Sequence, residues 1–294
     1  MSFFVEHYHS LCDFPSNNSW IIRSSIEQSI KYKIESVGTP LRDWDIQINY
    51  GIKTGCNDAF IISTEKRKEI LDNCKTSEER RRTEELIRPI LRGRDIKRYG
   101  YEWANLWLIN THNGVKGRFP RIRIEDYPAI KIHLDQYWQD ISNRTDMGDT
   151  PYNLRNCAYM EDFNKPKIVY PNMTKYMPFV YDEEKCFTNQ KCFIITGDHV
   201  AYLTAFFNSS LFKYCFRDVF PELQGGTREL SKIFFDKIPI KMVPEETELT
   251  FRRCVNEIQY KYSQEKAEYI DNLIFDIYGL SLREKQAIGF INIQ

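Results

Sequence analysis

Near position 246 the apolar pattern of this chain changes its period, and that change limits the fold more than any other feature. Upstream, apolar residues come in runs of about four to eight between turn residues, which is how strands read. "DIQINYGI" places Ile46, Ile48 and Tyr50 on one face, and "AFIIS", "NLWLINT", "KPKIVYPNM" and "KIFFDKIPI" are further strand-like runs. "FVYDEEKCFTNQKCFIITG" reads as two strands around a polar turn. Downstream only helical spacing remains. Leu249, Val255, Ile258, Tyr262, Ile270, Leu273, Ile274 and Ile277 suit one long amphipathic helix, which Gly279 ends. Strands punctuated by turns, then helices alone, make the chain α+β rather than a doubly wound sheet.

Helix signals also occur within the body. Ser24 and Glu27 form a capping box before Ile26, Ile30, Ile34 and Val37, and Gly38 with Pro40 stops that helix. Charged helices fall near 65–74 and 77–88, ended by Pro89. Asp126 is read as a cap with Pro128 in the first turn, and Asp198 as the cap of "VAYLTAFF". Ser281 and Glu284 open a short final helix. The division expected is an irregular segment over 1–19, a body over 20–243 and a helical hairpin over 244–294.

Charge narrows the partners. The 41 basic and 41 acidic residues cancel, which argues against a non-specific nucleic-acid coat. The charge is nonetheless partitioned. Lys75–Arg98 holds nine basic and five acidic residues, His112–Arg123 four basic and none acidic, and Pro244 onward six basic and nine acidic. Eight cysteines form no C-x-x-C pair and the five histidines are scattered, so free thiols in a reducing cytoplasm are expected rather than zinc. No apolar run approaches a membrane span, and the N-terminus lacks signal-peptide features.

The catalytic inventory is close to empty. "GIKTGCNDAF" at 51–60 has its lysine and threonine before the last glycine, and a strand follows, so it is not a Walker loop. A turn with Gly51 and Gly55 at positive φ is expected instead. The acidic "DWD" at 43–45 and "DEE" at 182–184 lack a matching E-x-K strand and read as turn residues. No N-P-P tetrapeptide and no G-x-S-x-G elbow occur. What remains suits recognition. The loops 92–98, 113–123, 172–176, 189–191 and 224–228 set Arg, Lys, Asn and Gln beside glycines and aromatics. A divergent nuclease or transferase, and an interaction scaffold docked through the acidic hairpin, stay open as alternatives.

Five segments in order, "PLRDWDIQINYGIKTGCNDAFII", "IRPILRGRDIKRYGYEWANLWLI", "KPKIVYPNM", "YLTAFFNSSLFKY" and "KIFFDKIPI", resemble the TaqI-like C-terminal specificity domain. That domain is the target-recognition part of type IIG restriction-modification enzymes and related adenine DNA methyltransferases. The ending "YIDNLIFDIYGLSLREKQAI" is similar to their closing helices. The resemblance implies a twisted β-rich, double β-helix-like body followed by an α-hairpin. It also implies double-stranded DNA as partner, with a methyltransferase or nuclease module in cis or in trans. S-adenosylmethionine and magnesium would serve those modules, with no cofactor in this chain and the 1–19 segment as the linker. This sequence lacks the preceding modules, so it reads as a C-terminal fragment or a separate subunit without its own activity. The expected DNA contacts are Lys53 and Thr54, then Arg92, Arg94, Lys97 and Arg98, and Lys175 and Thr227. Lys116, Arg118, Arg121 and Arg123 are expected to form a phosphate track, and Asn189, Lys191 and Arg228 to reach base edges.

Overall fold

The computed structural model describes residues 24–292, so the expectation for 1–19 lies outside the described residues. A four-stranded antiparallel sheet, ordered Val180–Asp182, Lys167–Pro171, Cys192–Gly197 and Ile46–Tyr50, separates two apolar cores. Successive side chains on a strand point to opposite faces. Accordingly Ile168, Tyr170, Phe193 and Ile195 enter one core, and Val169, Cys192 and Ile194 the other. With both faces covered, Lys167–Pro171 is buried along its whole length and shows no polar alternation.

The first core lies under helices Ser25–Val37, Val200–Asn208 and Ser210–Phe216 and the C-terminal helices Glu245–Tyr260, Gln264–Ile277 and Leu282–Ile288. The second lies under a second sheet, ordered Phe187–Thr188, Ile87–Leu91, Leu106–Ile109 and Ile61–Ser63, with helices Ser77–Leu86 and Pro128–Asp135. The α+β class holds. With 47% helix and 19% strand over its whole length, the structure is mixed helix and sheet.

Several local expectations hold and others are corrected. Both capping boxes form at Ser24 and Ser281, because each needs only partners three residues apart. Neither Asp126 nor Asp198 caps its helix: Tyr127 and His199 occupy those positions without a side-chain bond. "AFIIS" begins in a helical turn, Asn57–Phe60, and only Ile61–Ser63 is strand. "KIFFDKIPI" is a helical turn, Lys232–Phe235, followed by a two-residue strand that pairs with Thr39–Pro40. The 182–197 region holds a third short strand, Phe187–Thr188, parallel to Ile90–Leu91. Pro89 ends no helix; it sits within a strand. Asp182 is a strand residue at 1% exposure rather than a turn residue.

The tail is two helices before the last, because Ser263 starts a new one by accepting from the Lys266 amide. Leu249 and Tyr262 are exposed, while Phe251, Val255, Ile258, Ile270 and Ile274 pack into the first core. Among the described residues no helix is long and apolar enough to cross a membrane.

Candidate nucleic-acid interface

The "GIKTG" turn is built against the turn 189–191. The Gly51 amide donates to the Cys192 carbonyl at 2.9 Å and the Ile52 amide to Thr188 at 2.7 Å. A Cβ on Gly51 would collide with the Asn189 carbonyl, so glycine is needed there for close approach and not for positive φ. Gly55 does take φ +66°. Thr54 is buried, its hydroxyl donates to Asn57 Oδ1 at 2.6 Å, and its carbonyl accepts from Arg144. Burial lowers the Arg144 guanidinium to about 10, which leaves it charged at neutral pH. Lys53 stays half-buried.

The 189–191 turn is closed by Asn189, whose Oδ1 accepts the Lys191 amide at 3.1 Å. It forms one wall of a cleft of about 1020 Å³. Arg92, Arg94 and Lys97 come from a second segment and Asn172, Met173, Thr174 and Tyr176 from a third. The cations there are not equivalent. Arg92 is clamped on buried Asp95, with Nη2 at 2.8 Å from Oδ1. Lys97 lies 3.6 Å from Glu102. Arg94 and Lys191 are exposed and meet no acid among the described residues. Lys175, also exposed, sits over the Tyr176 ring at 6.0 Å. Exposed, unpaired cations are the ones that can exchange counterions for phosphates.

Two expected contacts are structural instead. Arg98 is buried and donates to the Asn208 and Ile291 carbonyls at 2.8 and 3.0 Å. Arg228 is buried and donates to the Phe220 carbonyl at 2.7 Å, and it pairs with Asp218 and Glu222 at 2.9 Å each. Arginine serves both purposes because its five donors satisfy carbonyls as well as phosphates. Thr227 lies half-buried beside it, and its carbonyl accepts the Leu223 amide at 2.6 Å.

The 113–123 loop lines a different hollow, of about 810 Å³. Its charge is not free of acids, as its sequence suggests. Arg118 pairs with Glu161 at 2.9 Å and Arg121 with Asp149 at 3.2 Å. Lys116 and Arg123 remain exposed and unpaired among the described residues. The sequence reading missed Met173 and Tyr176, both exposed at the cleft. The available signal was two large apolar residues flanking a lysine in a turn. No cluster of three or more metal-ligating side chains occurs among the described residues.

Cations and amides brought together from segments far apart in sequence define a recognition module. The model of the TaqI-like C-terminal specificity domain matches residues 88–240, more than half of the chain. This chain belongs to that family. The Type II methyltransferase M.BstVI of Geobacillus stearothermophilus is 23% identical over 283 residues, covering 94% of this chain and 47% of that protein. The chain therefore spans about half the length of this relative. The type IIG restriction endonuclease BpuSI superposes with TM-score 0.53 at 14% identity, over 87% of this chain and 34% of that one. The Type IIL restriction-modification enzyme MmeI, solved in complex with DNA, gives TM-score 0.50 at 9% identity, over 82% and 34%. At such identities the two structures speak for the fold alone.

Proposed function

We propose that this chain is the target-recognition module of a type IIG-like restriction-modification enzyme. It binds a short double-stranded DNA site. Adenine methylation, cleavage or both belong to a module joined in cis or held in trans, which is where S-adenosylmethionine and magnesium act. The setting is the cytoplasm of a bacterium or archaeon, in defence against phage. The double β-helix-like wrap belongs to this proposal as well, with the two four-stranded sheets as its parts.

One observation carries the reading. Segments 92–97, 172–176 and 189–191 converge on one cleft whose Arg94 and Lys191 pair with no acid among the described residues. Glu248 and Asp271 of the tail are spent on internal hydrogen bonds, whereas Glu245, Glu246, Glu257, Glu265 and Asp276 stay exposed, so the scaffold alternative is left to the same test. The test is selection from a randomised duplex pool followed by gel-shift titration. The reading expects one enriched short site bound more tightly than unselected duplex, and absence of any enrichment contradicts it.

A further inference from the structure

Two large apolar side chains stand at the cleft mouth among its cations. Met173 is 56% exposed and Tyr176 52%, and both line the cleft. Lys175 lies between them in sequence. Single exposed apolar residues are ordinary. A pair on one turn, beside unpaired cations, is a contact surface awaiting a partner that is both apolar and anionic.

The turn is held from both ends. Met173–Thr174 pairs in a strand ribbon with Arg228–Glu229, and buried Arg228 anchors that ribbon. The Thr174 hydroxyl accepts the backbone N–H of Tyr176 at 3.0 Å and of Met177 at 3.2 Å. Met177 sits at φ +52° with its side chain in the first core, and its carbonyl accepts from the buried Lys213 ammonium. A residue with φ > 0 and no glycine persists only where its surroundings over-determine it. The two side chains are therefore presented by a backbone already ordered, which removes an entropy cost from any binding step.

We propose that Met173 and Tyr176 form an apolar wedge that enters one base-pair step of duplex DNA seated in the cleft, with Arg94, Lys175 and Lys191 on the phosphates around that step. This rests on the DNA-recognition reading. The interior of a base step is apolar and its edges carry phosphates, which is the combination this surface matches. An aromatic ring and a polarisable thioether replace part of the stacking that the opened step loses. An apolar protein partner would leave the three cations without counter-charge.

The test uses duplexes that the full chain enriches from a randomised pool. Permanganate probes unstacked thymines and hydroxylamine unstacked cytosines, and every base step carries pyrimidines on its strands. The wild-type chain should make pyrimidines at one fixed step reactive. The double variant Met173→Ala/Tyr176→Ala should return them to free-duplex reactivity, with the salt slope of binding unchanged because no charge is lost. Tyr176→Phe should keep the reactivity, and circular dichroism with a thermal midpoint confirms that the variants fold. Bound wild-type complexes with no reactive step, or a double variant that keeps the reactive step, overturn the wedge and leave the recognition reading standing. A wild-type chain that neither enriches nor binds duplex overturns both.

Discussion

Glu248 accepts the backbone N–H of Tyr202 at 2.8 Å, and its other oxygen accepts that of Ala201 at 3.0 Å. A carboxylate from a C-terminal helix thus caps the N-terminus of Val200–Asn208, where His199 offers no side-chain bond. Asp271 does the same for the next helix, accepting from the Ser210 amide at 2.9 Å and from its hydroxyl. Part of the tail's negative charge is therefore internal cement. Glu248→Ala leaves two buried amides unpaired and should cost about 1–3 kcal/mol. Urea unfolding should show a lower midpoint at unchanged m-value, and Glu248→Gln a smaller loss.

Lys167 and Asp182 face each other across neighbouring strands, fully buried, with Nζ 2.5 Å from Oδ2. Nζ also donates to the Phe163 carbonyl at 2.7 Å, and the carboxylate accepts the Glu184 and Cys186 amides at 3.0 Å each. Removing one charge strands the other in the core. Asp182→Asn should destabilise by about 3–5 kcal/mol, measured in the same urea assay. The double change Lys167→Met/Asp182→Leu should recover part of that, since no lone charge remains.

Stability should also depend on pH through Glu284. Burial alone would raise its carboxyl, but hydrogen bonds from Lys33, Ser29 and Ser281 outweigh burial and hold it at about 2, below the ordinary 4.5. A depressed carboxyl stabilises the fold above its unfolded value and loses that contribution as pH falls through the folded one. The stability gap between wild type and Glu284→Gln should be full above pH 4.5 and close toward pH 2. A gap that stays constant over that range contradicts the assignment.

Gly51→Ala should act on the cleft without touching a cleft side chain. The added Cβ meets the Asn189 carbonyl, so the 189–191 turn must move. Thermal midpoint and duplex affinity should both fall. Gly100→Ala, where a Cβ meets nothing within 4 Å, should leave the midpoint near wild type.

What the sequence made legible was local. Ser24 and Ser281 were readable as caps because their partners lie three residues on. Lys167–Pro171 was readable because burial on both faces leaves an unbroken apolar run. The cap on Val200–Asn208 was not, because Glu248 lies 46 residues beyond Tyr202. The same distance effect misled the charge reading. Arg118 and Arg121 look unneutralised until Glu161 and Asp149 fold onto them, and Arg98 and Arg228 look like DNA contacts until carbonyls bury them. The cleft itself is assembled from three separate segments, so no window of sequence contains it.

A salt titration of duplex binding tests the central claim most directly. Each phosphate contact contributes about 0.9 to the slope of log K against log salt. Arg94→Ala/Lys191→Ala should flatten that slope by about 1.8, two contacts' worth. Arg118→Ala/Arg121→Ala should leave it close to wild type, because Glu161 and Asp149 already neutralise those side chains. A slope untouched by the cleft variant and flattened by the loop variant would contradict the cleft as the DNA track, and binding with no salt dependence in the wild type would contradict DNA recognition itself.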